Sequence, residues 1–241
     1  MLTTSDKHHW APVPQIVQWL ADRLPADAKV LEIGPGHVPF PRAREFVDFA
    51  ESVNANGPVH KIDIATQPLP FADKSFDFVY CRHVLEDMYN PFGLCAEMSR
   101  VAKAGYIETP SPIAEISRGV DGNAPPYRGY HHHRFVIANY RDELRFVSKY
   151  PLIEYLAFDE ARLATLLRTG PKYWNTYYLW EGAINVQHRQ SPLHFDIWRD
   201  YVSLLNDGVG NAVMAADDFW QRIPAQSEIV QMLPQIGAAA A

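Results

Sequence analysis

Cysteine is nearly missing from this chain: 241 residues contain two, Cys81 and Cys95. One ends an apolar, strand-like run and the other sits on a helix-like segment. That excludes a disulfide framework as the source of stability, and each reads as a small buried hydrophobe. No segment approaches the ~20 consecutive apolar residues that a membrane helix requires. The opening stretch, MLTTSDKHHWAPVPQIVQWL, has neither a basic leader nor an unbroken apolar core, so no targeting signal is expected and the expected location is cytoplasmic. A basic surplus is also missing. Lys and Arg number 22 against 28 Asp and Glu, a formal charge of −6, which gives no overall positive field for a phosphate backbone. Neither nucleic acid nor membrane is an expected partner. There is no Gly-Lys-Ser/Thr phosphate loop and no internal repeat.

What remains is an ordinary globular composition: 47% hydrophobic, 21% charged and 12% aromatic, with aromatics concentrated after Tyr127. The length suits one sizeable α/β domain. Val13, Ile16, Val17, Leu20 and Leu24 fall at helical spacing, with Pro14 in the tolerated first turn. Short apolar runs follow at Lys29 to Ile33, Glu45 to Phe49, Val59 to Ile64, Phe76 to Cys81 and Gly105 to Thr109, with a helix candidate at Pro91 to Val101. Strands separated by crossovers predict an α/β, doubly wound, Rossmann-like and mostly parallel sheet. The second half is more divergent: a hairpin from Arg134 to Ile137 and Leu144 to Ser148, a strand at Tyr177 to Val186, and helices at Phe195 to Leu205 and Ala212 to Arg222. The expected organisation is one domain, with an N-terminal segment and helix over 1–24, a cofactor-binding core over 25–112, and acceptor-side elements with C-terminal helices over 113–241. The closing GAAAA reads as a tail.

Glu32 lies inside the first strand, directly before Gly34, Pro35 and Gly36, and a carboxylate in an apolar strand needs a partner. Two glycines let the backbone approach a ligand closely. Leu31 to Gly36, LEIGPG, resembles the first motif of the class I S-adenosylmethionine (SAM)-dependent methyltransferases, with Val38 at the third glycine position. For a dinucleotide fingerprint the glycine would recur at Pro39, which disfavours a dehydrogenase. Asp48, at the end of the second strand, stands where this architecture places an acid against ribose hydroxyls; a loop aspartate capping a turn is the plainer reading. From Asp63 the run DIATQPLPFADKSFDFVYCRHVLEDMYNP, continuing through LCAEMSRV to GYIETPSP, resembles the third-to-fifth-strand region of the same superfamily, in particular its type 11-like domain. The resemblance spans roughly residues 25 to 112. It implies SAM as cofactor, Asp63 and Ile64 along the adenine, and Arg82 to Glu86, including His83, beside the methionine moiety. It also implies that Phe76, Asp77 and Val79 build the fourth strand and that Arg100 to Tyr106 leads into the fifth. Glu32, Gly34, Gly36, Asp48, Asp63, Ile64, Arg82 and His83 are therefore the expected cofactor-binding residues.

On the acceptor side, methyl transfer is a direct displacement that must align the acceptor and, for a hydroxyl, remove a proton. His83, just past the fourth strand, is one candidate base or a cofactor-wall residue. Tyr130 to Phe135, YHHHRF, supplies His131, His132 and His133 after a Gly/Pro-rich loop. On a strand, His131 and His133 would share a face. A solvated loop, an acceptor site with a catalytic base, and a metal site with Glu108, Glu115, His8 or His9 are the readings of this run; no ligand spacing enforces the last, and no metal ligand is assigned. Arg134 suits an acceptor carboxylate or phosphate. His8, His9 and Trp10 could close over a cofactor. Tyr173, Trp174, Tyr177, Tyr178 and Trp180 read as core packing or as a stacking surface for a flat acceptor. The expected activity is O-methylation of a small or glycan-linked acceptor. Alternatives are a degenerate SAM-binding interaction module and a metal-dependent hydrolase using the histidine run.

Overall fold

A computed structural model describes residues 11–49, 54–190 and 196–224. Expectations for His8, His9, Trp10 and the closing tail lie outside these. Pro14 opens helix α1 (Pro14–Arg23), which buries Ile16, Trp19 and Leu20, and the Arg23 guanidinium covers the Trp19 ring at 4.3 Å. All four residues of β1 (Val30–Ile33) are buried, as an interior parallel strand requires. Then come β2 (Glu45–Asp48), β3 (Val59–Lys61) and β4 (Phe76–Arg82). Asn90 caps α2 (Pro91–Val101) by accepting from the Gly93 N–H, and Pro91 starts it. β5 (Ala102–Pro110) leads into a short helix, α3 (Pro112–Ile116).

β3, β2, β1, β4 and β5 are parallel in that spatial order, and β8 (Asn175–Glu181) closes the sheet antiparallel to β5. The chain leaves β1 towards one edge and returns as β4 on its other side. The carboxyl ends of β1 and β4 therefore flank the point where strand order reverses, the usual crevice for ligands. Along β4, Phe78 and Tyr80 face the layer of α1, while Val79 and Cys81 face the layer of α2.

The second half adds a small sheet: β6 (Phe135–Tyr140) and β7 (Glu143–Ser148) form a hairpin, and β9 (Val186–Arg189) runs parallel to β7. Arg141 and Asp142 turn the hairpin with positive φ at both positions, the two-residue geometry that matches strand twist. Helix α4 (Glu160–Arg168) and the long α5 (Ile197–Gln221) complete the order. No helix among the described residues is long and apolar enough to cross a membrane.

Four local expectations are corrected. The two C-terminal helices are one, α5, which runs straight through Gly208 and Gly210; Gly208 is buried facing Pro112 of α3, so close packing rather than a break explains it. The strand over 177–186 ends at Glu181, where Gly182 turns at φ 76°, and β9 starts afresh at Val186. β3 stops at Lys61, leaving Asp63 and Ile64 in the following turn. Finally, β6 begins at Phe135, so His131 to His133 lie on a turn and no strand alternation orders them.

Candidate active site

The glycine turn after β1 is held from beneath. Glu32 is buried, and its Oε2 accepts the Phe40 N–H at 2.7 Å. Burial, only partly offset by that bond and by Arg82, pushes its pKa up to about 8. Glu32 thus shapes the turn from below and does not line the cleft above it. Gly34 has φ 67°, and a Cβ there would meet Val84 Cγ2 at 2.5 Å, so the turn is seated on the segment after β4. Gly36, φ 55°, has nothing within 4 Å of an added Cβ: its open side is the cleft.

That cleft has two joined lobes, which share Gly34, Gly36, His83 and Asp87. One, about 510 Å³, reaches Asp48, Asp63 and Ile64 at the ends of β2 and β3. The Asp63 carboxylate is engaged with its own turn, accepting from Ala65 N at 3.1 Å and from Thr66 Oγ1 at 2.7 Å. The other lobe, about 340 Å³, is walled by Arg82, His83, Glu86, Tyr130, His132 and His133.

His83 follows β4 with φ 52°, an uncommon backbone for a non-glycine residue and one that clusters at functional sites. Its Nδ1 is 3.2 Å from Glu86 Oε1, and its Nε2 is 3.6 Å from Glu108 Oε1. Burial alone would lower the imidazole pKa; the two carboxylates outweigh it and raise it to about 9, so His83 is a cation at neutral pH. Glu108 in turn accepts from Arg82 Nε and Asn175 Nδ2, each at 2.9 Å, and from the Tyr106 hydroxyl. Against its burial, Arg82, His83 and Tyr106 hold this carboxyl at about 2. Two buried atoms in this lobe, His83 Nε2 and Glu86 Oε2, have no hydrogen-bond partner within the protein. Unsatisfied buried polar atoms are rare and call for an explanation.

The histidine run divides three ways. His131 points outward, its Nδ1 3.0 Å from Asp121 Oδ2, and does not line the cleft. His132 is half exposed at the mouth, its Nε2 3.7 Å from Asp87 Oδ1. His133 is buried, with Nδ1 2.6 Å from Glu115 Oε1 and Nε2 3.8 Å from Asp87 Oδ1. Lys149 Nζ holds the other Glu115 oxygen and also donates to the Tyr130 carbonyl. Gly129 lies so close over Glu115 that a Cβ would meet its Oε2 at 2.5 Å.

Other sequence-derived candidates fall elsewhere. Arg134 serves the scaffold, donating from Nε to the Asp87 carbonyl while its guanidinium covers the Tyr89 ring at 3.4 Å. Trp174, Tyr177, Tyr178 and Trp180 are buried in the core and none lines either lobe of the cleft. Glu108 and Glu115 are present but as partners of Arg82 and His133. Asp87 was not singled out by sequence reasoning. Its only signal was position, one residue after Glu86 in a turn leaving the switch-point strand.

The family described as "Methyltransferase domain" matches residues 15–107, which contain both strands at the switch point and the glycine turn. No curated protein matches the chain. Among solved structures it is similar to a putative methyltransferase from Bacillus halodurans C-125, at 19% identity over 41% of this chain and 51% of that one, TM-score 0.33. A SAM-dependent methyltransferase from Thermotoga maritima, described as a possible histamine N-methyltransferase, is 24% identical over 39% and 48%, TM-score 0.32. The N-terminal domain of EvdMO1, solved with S-adenosylhomocysteine (SAH) bound, is 17% identical over 42% and 51%, TM-score 0.35. The similarity thus spans about half the length of each of these relatives.

Proposed function

We propose that this chain, whose residues 15–107 match the family described as "Methyltransferase domain", transfers a methyl group from SAM to an oxygen of a small or glycan-linked acceptor. One observation carries this reading: the glycine turn at the switch point opens onto a cleft whose acceptor-side wall presents the imidazoles of His132 and His133.

The residues present fit the cofactor. SAM combines a sulfonium, an ammonium, a carboxylate and a hydroxylated ribose, and when bound it supplies an electrophilic methyl group. Gly36 leaves room for close backbone approach. Asp48 suits the ribose hydroxyls, and Asp63 with Ile64 suits the adenosine. Cationic His83 suits a carboxylate, and the unpartnered Glu86 Oε2 suits an ammonium donor. No phosphate cradle is needed and none is present in the sequence.

His83, held between Glu86 and Glu108 with its pKa raised to about 9, serves in this reading to bind and orient. His132 and His133 face the same lobe from the opposite side, where an acceptor hydroxyl would lie. There an imidazole of the pair would take up the hydroxyl proton, directly or by way of solvent, as the acceptor oxygen attacked.

Calorimetry with SAM and SAH, followed by transfer of a labelled methyl group across a panel of hydroxylated acceptors, tests the reading. Binding of both, with label reaching oxygen, is expected. Absence of SAH binding by folded protein would overturn the proposal; binding without transfer to any acceptor would replace it with a SAM-binding interaction module.

A further inference from the structure

We propose that Asp87, His132 and His133 form a binding site for one divalent transition-metal ion of the zinc type, at the acceptor end of the cleft. Metal binding itself is independent of the methyltransferase reading; only its use on an acceptor hydroxyl rests on it.

Three donor atoms converge here: Asp87 Oδ1, His132 Nε2 and His133 Nε2, all within 4.8 Å of one another. Both imidazole nitrogens stand 3.7 and 3.8 Å from the same carboxylate oxygen, too far to hydrogen-bond with it. Ligands at the usual zinc bond lengths of about 2.0–2.1 Å in a tetrahedron would lie roughly 3.3–3.4 Å apart, so each imidazole nitrogen stands within a few tenths of an ångström of that spacing from the carboxylate oxygen. The two rings meet edge to face with centroids 4.5 Å apart.

The second argument lies behind the ligands. A metal-bound histidine typically gives its other ring N–H to a carboxylate, which fixes the tautomer and the ring. His133 has this arrangement: Nδ1 meets buried Glu115 Oε1 at 2.6 Å, and Lys149 and Gly129 pin Glu115 in place. The Nε2 lone pair is thereby directed to the cleft. A solvated polar loop has no need of a buried, oriented carboxylate behind one of its histidines.

A second triad, Asp121, His131 and His132, shares one ligand with the first. There Asp121 and His131 already bond each other at 3.0 Å, and Asp121 also accepts the Asn123 N–H. Two imidazoles and one carboxylate suit a borderline ion better than magnesium or calcium, which prefer oxygen. Three protein ligands leave a position open, as in catalytic sites. An acceptor hydroxyl entering it would lose its proton more readily, the proton passing to solvent, as bound water does.

The test is zinc binding to the full chain, read by competition with a chromophoric chelator and by the visible absorption of the cobalt(II) form. One ion per chain is expected, not displaced by magnesium. Asp87→Asn, at a half-exposed side chain that the fold does not depend on, and His133→Ala should each weaken zinc at least tenfold and alter the cobalt spectrum. Glu115→Gln, which keeps all three ligands, should weaken it about 10–100-fold. His131→Ala should leave affinity within twofold. Absence of stoichiometric binding, or binding unchanged in Asp87→Asn and His133→Ala, overturns the proposal. So does a loss in His131→Ala as large as that in His133→Ala, which would move the ion to Asp121. SAH calorimetry on the same samples separates the two readings: zinc without SAH removes only the proposed function, and SAH without zinc removes only the metal.

Discussion

Glu115 and His133, 18 positions apart in the chain, meet at 2.6 Å in the protein interior, and the contact aims the free imidazole nitrogen of His133 into the cleft. From it follows an asymmetry within the histidine run. His132→Ala and His133→Ala should each lower turnover by about 10²–10⁴-fold, the range for assisted proton removal, whether the imidazole takes the proton or holds the ion that acidifies the hydroxyl, with SAH affinity nearly unchanged. His131→Ala, whose ring faces Asp121, should keep wild-type turnover. Should all three variants turn over normally, the run is a surface loop and the acceptor wall has been misplaced.

The glycine turn separates a folding role from a binding role. Gly34→Val should destabilise the protein, because its side chain meets Val84 and the backbone is left-handed. Gly36→Val adds a side chain to open space in the cleft and should weaken SAH at least tenfold, about 1.4 kcal/mol. Thermal melts and calorimetry on both variants check this. Unchanged SAH affinity in folded Gly36→Val would remove the turn from the cofactor site.

Asp63→Ala should reduce affinity for adenosine and for SAH by the same factor, since Asp63 lines the lobe at the ends of β2 and β3 and not the one walled by Arg82, Glu86 and the histidine run. A loss seen only with the methionine portion present would mean that the cofactor lies reversed along the strand ends.

Glu32 predicts a pH dependence of stability. Its carboxyl titrates near 8 in the folded chain against an ordinary 4.5, so the folded state holds an extra proton between these values. The stability it contributes is full below about pH 4.5 and is lost as pH rises to about 8, a change on the order of a few kcal/mol. Glu32→Gln still accepts from Phe40 N but does not titrate. Chemical denaturation across this range should show the wild type losing stability relative to the variant; parallel curves would contradict the assignment.

In α5, Gly208→Ala and Gly210→Ala should each raise stability by about 0.5–1 kcal/mol, since a Cβ finds ordinary contact at the first and open space at the second within a continuous helix. If the chain instead broke between two helices there, both changes would destabilise.

The parts read correctly from sequence are those governed by neighbours along the chain. Helix α2 falls on its expected residues because Asn90, Pro91 and the stripe of Leu94, Met98 and Val101 are all local signals. The switch-point strands were legible from apolar runs ending at Gly34 and at His83. The gap expected between Leu205 and Ala212 is absent for the converse reason: Pro112, which packs against Gly208 within that gap, is about a hundred positions away. The histidine run stands out in the sequence, yet the separate fates of its members depend on Asp121, Glu115 and Asp87, which only the folded loop brings near. Glu32 was visible as an anomalous acid, but whether it faced the ligand or the turn depended on Phe40, whose N–H it accepts.

The antiparallel β8 has a consequence for dissecting the molecule. It covers the flank of β5 from Ala104 to Pro110, pairing from Ala104↔Glu181 to Pro110↔Asn175, and Asn175 also supports Glu108 beneath His83. A fragment cut after residue 112 would retain the matched family region and the glycine turn. It would also bare a seven-residue run of unpaired amides and carbonyls on an apolar strand, a template for self-association. The portion with the recognisable signature is therefore not a portable module, and its solubility depends on the half of the chain that the family does not match.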